Sequence, residues 1–488
     1  MWRWPKTREL PNANPSISYW QLPPLEGVAD HQSAQLPTEA DVVIIGSSIS
    51  GTSIAWHLLK EANRTTPLRT AILEARQACS GATGRNGGHI RPSSYSEYAG
   101  AKEAVTEDEA AKITRLRSAH VGALVSAANF LPEDGRLAAE ACVVDSIDAI
   151  WDDAQWKTAV QQMQVLKKEV PDIGKEWAIF EKEEARNPYR FVHSLKSLLE
   201  TYPGFSLDTN TAALNVSSVT DRSSSANYEV LTSRDRIRTK HVVYATNAWT
   251  PHFRRTPTHE RPAGGSGLPK AGEWPSYTRN GSLPGGRAWS FFRNRLDYVV
   301  QMPRNGEYIF GGEGGDGGNS KTLSDRGPPS HVTASYLNGA LSSYFGYDNW
   351  GAGRTDFPQD AAGPNVNPGR TKRVWVGIEG GSRDSQPFVG LLPQSATMRP
   401  VKNASAGGEW VSAAFDGECM CFACLCGRAL SLMIASGNAD GQEAAGVPEC
   451  FPRSFLVTEQ RLASRNVTRR EAHHWMYPRM AKALSWDN

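Results

Sequence analysis

Four consecutive apolar positions, Val42, Val43, Ile44 and Ile45, form an unbroken β-branched run. That is the pattern of a strand covered on both faces, as in a parallel sheet. Gly46 ends the run. The apolar spacing then changes to Ile54, Ala55, Leu58 and Leu59, one face of a helix opened by Ser50 and Gly51. Thr70 to Leu73 predicts a second buried strand, which delivers Glu74 at its end. A strand, glycine turn, helix and acid-terminated strand in this order form the arrangement that binds dinucleotides. Gly46 permits the sharp turn, and Gly51 lets helix and strand approach. Glu74, about twenty residues on, can accept the hydroxyls of an adenosine ribose. The first helical amides, at Ser48, Ile49 and Ser50, face a pyrophosphate. Ser48 stands where the motif has its middle glycine and crowds the approach of backbone to phosphate.

Helical and strand periods continue downstream. Thr106-Glu107-Asp108-Glu109 is a capping box leading into apolar Ile113, Leu116, Val121, Leu124 and Val125. Cys142 to Ile147 reads as a strand opening a second domain. Trp151 to Val170 reads as a helix with Trp156, Val160, Met163 and Leu166 on one face. His193 to Thr201 predicts another helix, Asp297 to Gln301 and Tyr308 to Gly312 paired strands, and Val332 to Tyr344 a helix. Residues 254–286 are crowded with Pro and Gly. They are too long for a simple connection and read as a lid-like loop over an active site or an unstructured insertion.

Directly after Glu74, Ala75 and Arg76 comes the polar, glycine-rich stretch Ser80-Gly81-Ala82-Thr83-Gly84-Arg85-Asn86-Gly87-Gly88-His89. Here the chain resembles the D-amino-acid oxidase (DAO) superfamily of FAD-dependent oxidoreductases, and more narrowly its fungal amine-oxidase-like branch. Ala245-Thr246-Asn247 with Trp249, Trp375 to Gly380 with Pro387 to Gly390, and Phe415-Asp416-Gly417-Glu418-Cys419-Met420 extend the resemblance over nearly all of residues 38–440. It implies an α/β fold: a Rossmann-like FAD-binding domain assembled from 39–130, 205–253 and 372–440. An α+β substrate domain containing a mixed sheet, from 131–204 and 254–371, is inserted between these pieces. Residues 1–38 form an arm and 441–488 a C-terminal strap.

The resemblance implies FAD as cofactor. Ser80, Thr83, Gly84, Arg85, Asn86, Gly87, Gly88 and His89 would wrap its ribityl and pyrophosphate. Val216 would hold the adenine through its backbone, and Ala245, Thr246, Asn247 and Trp249 would lie beside the pyrophosphate. Gly380 would sit near the ring. Asp416, capping the next helix, would shape a turn with Gly417, Glu418, Cys419 and Met420. That helix's amides would aim at the flavin N1/O2 edge, where reduced flavin carries negative charge. The implied activity is oxidation of a C–N bond in an amine or amino-acid-like substrate by hydride transfer to the flavin. Dioxygen (O2) would reoxidise it, giving peroxide.

His89, Glu379 and Arg383 are the catalytic candidates; Arg91, Tyr298 and Gln301 are the substrate-side candidates. His89 can reach the ring or brace it from behind. Glu379 can bind an ammonium or act as a base. Arg383 can pair a carboxylate or face solvent. Glu379, Gly381, Arg383 and Gln386 stand where relatives carry apolar or small residues. These departures leave open a secondary-metabolite tailoring flavoenzyme acting on a C–C or C–O bond or in a redox-neutral step. A non-catalytic flavin-fold protein is the third reading.

Composition narrows the classes further. At 488 residues the chain has room for two domains. Lys and Arg number 53 against 51 Asp and Glu, so no charge footprint points to nucleic acid or an anionic membrane. The start, Met1-Trp2-Arg3-Trp4-Pro5, lacks a secretory pattern. The apolar stretch Phe422 to Ala435 contains Arg428 and is too short to span a bilayer. A cytoplasmic location is therefore expected. Seven cysteines, an odd count, argue against a disulfide framework. Cys419, Cys421, Cys424 and Cys426 run into apolar Leu430, Leu432 and Met433, so they read as a buried helix whose thiols diverge; no metal is expected. No cysteine matches a flavin-tethering motif, so non-covalent FAD is favoured.

Overall fold

The computed structural model describes residues 10–60, 68–129, 131–174, 181–185, 192–221, 223–252, 258–269, 287–292, 296–302, 307–312, 331–347, 371–382, 384–400, 407–436 and 446–463. Two eight-stranded sheets organise them. In the first, β1 (Glu39–Ile45) lies between parallel neighbours β2 (Thr70–Leu73) and β9 (Arg236–Tyr244). Beyond β2 lies β6 (Phe205–Asp208), and beyond β9 lies β16 (Glu409–Ala413), both parallel. An antiparallel edge strand, β15 (Phe388–Leu391), and a hairpin of β7 (Ala213–Ser218) and β8 (Tyr228–Thr232) complete it. The apolar run has the cause the sequence suggested: Val42, Val43 and Ile44 are fully buried because both faces of β1 are covered.

One covering layer is helical. α1 (Ile49–Lys60) packs against α10 (Cys419–Ser436), with α3 (Glu107–Asn129) behind. Gly427 makes the α1–α10 contact close: a Cβ there would stand 2.9 Å from Ser53 Cβ. α10 has the length and composition to cross a membrane, being longer than the apolar stretch seen in the sequence. Here 67% of it is buried in this layer.

The second sheet runs β14-β10-β13-β12-β11-β4-β5-β3. These strands are β3 (His89–Ile90), β4 (Cys142–Ile150), β5 (Glu181–Ala185), β10 (Thr258–Pro269), β11 (Arg287–Phe292), β12 (Leu296–Gln301), β13 (Tyr308–Gly312) and β14 (Thr371–Ser382). It is mixed: β11 runs parallel to β4, and the other pairs are antiparallel. α8 (His331–Phe345) covers one face. Asp297 anchors it there, accepting from Tyr336 and Tyr344, while Tyr344 stacks on Phe291 at 4.1 Å. The remaining helices are α2 (Ser94–Ala104), α4 (Glu133–Ala139), α5 (Asp153–Glu169), α6 (Pro171–Gly174), α7 (Val192–Thr201), α9 (Gln394–Thr397) and α11 (Glu459–Ala463).

Two expectations change. Thr258–Pro269, inside the stretch read as a lid-like loop or unstructured insertion, is a strand paired with β14 over most of its length; residues 270–286 lie outside the described residues. Pro262 is tolerated because β10 meets its other neighbour only at Gly267. β14, at the start of the segment expected to return to the nucleotide domain from 372, lies in the second sheet. On α5, Leu166 is buried but Trp156 is 56% exposed, so the predicted apolar face packs at one end only.

Candidate functional site

A cleft opens where β1, β2 and β9 end. The chain leaves β1 for β2 on one side and meets β9 on the other, the switch point where open α/β sheets bind ligands. Gly46, at φ +106°, makes the turn; a Cβ would stand 2.5 Å from the Ala245 carbonyl oxygen. Ser48 lines the cleft, and its hydroxyl donates to the Ala245 carbonyl at 3.3 Å. Ser50 instead bonds Ser412 at 2.7 Å and ties α1 to β16.

Glu74 stands at the end of β2. Its carboxylate accepts from the Ser47 amide (3.1 Å), the Ser47 hydroxyl (2.7 Å) and the Arg76 amide (3.1 Å). A carboxylate offers about four acceptor sites, so one remains for a ribose hydroxyl. Ala75, Arg76, Ala245, Thr246, Asn247 and Trp249 line the same cleft. The residue of β7 that reaches it is Ala213, not Val216, which sits deeper in the strand opposite Val230.

The glycine-rich loop closes over this end. Thr83 Oγ1 accepts from the Ile49 amide at 3.0 Å, joining the loop to the first turn of α1. The Ser80 hydroxyl is buried without a hydrogen-bond partner among the described residues. Arg85 and Asn86 shape the loop, and their side chains engage the protein's own backbone. Arg85 Nε donates to Ser80 O (2.9 Å), Nη1 to Val376 O (2.7 Å), and Nη2 to Ser16 O. Asn86 Oδ1 accepts from Gly88 N at 2.8 Å. Trp20 donates to Asn86 O at 2.7 Å, and Leu10 and Pro11 line the cleft, so the N-terminal arm is part of its wall. From the sequence this stretch reads only as an arm. A glycine turn, a rim carboxylate and an orphaned buried hydroxyl fit the pyrophosphate and ribose of FAD.

The opposite end is built around the turn before α10. Asn247, at φ +42°, accepts from Ala414 N (2.9 Å) and Phe415 N (3.3 Å). Gly380 O accepts from Asp416 N at 2.8 Å, and Gly380 lies so close to Ala248 that a Cβ would be 2.5 Å from its amide. The cap position of α10 falls to Glu418, immediately before Cys419, and not to Asp416. Glu379 reaches this turn: its Oε2 is 3.4 Å from where a Cβ on Gly417 would stand. Burial, with Glu379 and Glu418 nearby, pushes the Cys419 thiol up to about 12; burial holds Cys421 and Cys426 well above their usual range. Met420 is buried behind them.

His89 packs edge-on against Tyr298 at 5.0 Å, with Nδ1 3.2 Å from Gly87 O. Burial lowers its pKa to about 4, so it is neutral at pH 7. Gly87 and Gly311 both give way to the Tyr298 ring. Strand alternation separates Tyr298 from Gln301: Tyr298 faces His89, whereas Gln301 shares the α8 face with Asp297 and Val299. Gln301 therefore does not converge on the site. Arg91 pairs with Asp148, which also accepts from Tyr95 at 2.5 Å. Arg383 lies outside the described residues.

Two residues that the sequence did not single out, Arg117 and Glu97, form a buried cluster with Glu418 behind the α10 turn. Arg117 Nη2 lies 3.1 Å from Glu97 and Nη1 3.0 Å from Glu418, and its guanidinium sits 4.5 Å over the Phe422 ring.

The model of the family "DAO: FAD dependent oxidoreductase" matches residues 41–433. No curated protein matches the chain. Among solved structures, L-amino acid deaminase from Proteus vulgaris, with its specific insertion deleted, aligns with TM-score 0.58 at 15% identity over 88% of this chain and 96% of its own. Glycine oxidase from Geobacillus kaustophilus aligns with TM-score 0.56 at 15% identity, over 86% and 99%. Iminodiacetate oxidase from Chelativorans sp. BNC1 aligns with TM-score 0.55 at 14% identity, over 83% and 98%. At these identities the likeness is one of fold.

Proposed function

Because this chain belongs to the DAO family of FAD-dependent oxidoreductases, we propose that it oxidises a C–N bond of an amine, with dioxygen taking the electrons onward as peroxide. One observation carries the reading. Separate segments (Gly46–Gly51, Glu74–Arg76, Ser80–Gly88 and Ala245–Trp249) meet at one cleft that suits a dinucleotide, while Asn247 and Gly380 bind its far end to the α10 turn. Bound there, the isoalloxazine would supply the chemistry by accepting a hydride from the carbon beside nitrogen. The chain's part is to bind the amine and orient that carbon.

The charges near the α10 turn support an amine over a carboxylate-bearing substrate. Arg91 is paired with Asp148, and Arg117 with Glu97 and Glu418. Glu379 and Asp416 add further acid. An ammonium entering this site meets complementary charge, whereas a carboxylate meets like charge. His89, neutral and set against Tyr298, is a hydrogen-bonding wall rather than a cation.

The test is peroxide release from a panel of amines and amino acids. Turnover of a primary or secondary amine lacking an α-carboxylate, with weaker turnover of the matching amino acid, supports the reading. Rapid flavin reduction by a non-amine, with no amine oxidised, overturns it in favour of C–C or C–O chemistry.

A further inference from the structure

Glu97 sits in α2, one helix removed from the cleft, and the fold binds it to the turn before α10. Its carboxylate shares the Arg117 guanidinium with Glu418, the residue at the α10 cap. The side chains of Arg117 and Glu97 are 7% and 12% exposed, so water screens the cluster weakly. Phe422, from the first turn of α10, holds the guanidinium from above. One cation thus serves two carboxylates: the cluster is neutral when Glu97 carries a proton and negative when it does not.

We propose that Glu97 is a positioning residue that takes up and releases a proton as the charge at the start of α10 changes, and so tunes the reduction potential of the bound flavin. The inference rests on the flavoenzyme reading. Two-electron reduction adds negative charge to a flavin at the helix start expected to face its N1/O2 edge. Glu97 answers by taking one proton from solvent, so one positive charge enters as the negative charge appears.

The surroundings favour that role. Burial, with Glu418 and Asp416 close by, raises Glu97 to about 7 against the pull of Arg117 and Arg91. Those are the charged groups facing it from α3, from the α10 turn and from the segment after β3. On the α5 side the facing carboxylate, Glu169, is engaged by Tyr98 and Lys102.

The experiment titrates the holoenzyme with pH, recording the visible flavin spectrum and the midpoint potential, for wild type, Glu97→Gln and Glu418→Gln. The amide of Glu97→Gln keeps the shape and can still accept from Arg117. In wild type a spectral transition is expected near pH 7, absent from E97Q. Just above that pH the wild-type potential should fall about 30 mV more per pH unit than that of E97Q, since a tenfold change in a two-electron equilibrium is about 30 mV. E418Q removes the like charge and should move the transition to lower pH; it carries the test if E97Q fails to hold flavin. Yellow protein with identical titrations in wild type and variants overturns the inference and leaves the flavoenzyme reading standing. Colourless wild-type protein overturns that reading, and this inference with it.

Discussion

Replacing Asn247 by alanine tests how the two ends of the site are joined. Its Oδ1 accepts from the amides of Ala414 and Phe415, residues that are 0% and 3% exposed. Without it, two buried N–H groups lose their acceptor, at about 1–3 kcal/mol each. Asparagine also tolerates the left-handed backbone found here at φ +42°; alanine adds about 1 kcal/mol of strain. Relaxation of the turn offsets part of this, so Asn247→Ala should lose about 2–5 kcal/mol in urea denaturation and also bind FAD more weakly. Asn247→Asp keeps the acceptor and should stay within about 1 kcal/mol of wild type. The reasoning is refuted if N247A matches wild type within about 0.5 kcal/mol, or if N247D is as damaged as N247A.

Other outcomes follow from single contacts. Ser80→Ala removes a buried hydroxyl with no protein partner, so denaturation of the FAD-free protein should be unchanged, while FAD affinity measured by fluorescence quenching should fall about tenfold, or about 1.4 kcal/mol. Gly46→Ala places a Cβ 2.5 Å from the Ala245 oxygen at a positive φ and should cost about 3 kcal/mol or more in thermal unfolding. His120 is fully buried between Leu116 O and the Leu425 amide, and burial lowers its pKa from 6.5 to about 4. The unfolded chain therefore binds more protons between those values. Stability should fall as pH drops from about 6.5 to about 4, by as much as about 3 kcal/mol from this group. Urea midpoints at pH 7, 5 and 4 would show this, and His120→Gln should flatten the decline.

The nucleotide half was legible where local pattern and tertiary role coincide. Val42 to Ile45, Gly46, Gly51 and Glu74 each follow from one strand–helix–strand unit whose periods sit next to each other in the chain. Legibility faded where neighbours far along the chain decide. The strand Thr258–Pro269 carries turn residues and is held extended by pairing with β14, more than a hundred residues later. Tyr298 and Gln301 looked equivalent until strand alternation sent them to opposite faces. Arg85 reads as an anion ligand, yet Ser16, Ser80 and Val376 take its donors. Glu97 gives no sequence signal, because its setting is created by Arg117 from α3 and Glu418 from the turn before α10.

The gathering of these segments around one dinucleotide is tested most directly by the visible spectrum of the purified protein and the identity of what it releases on denaturation. The account predicts a yellow protein that yields FAD at about one equivalent and regains its colour when FAD is added back. A protein that stays colourless in the presence of FAD, or that takes up NAD in its place, would contradict it.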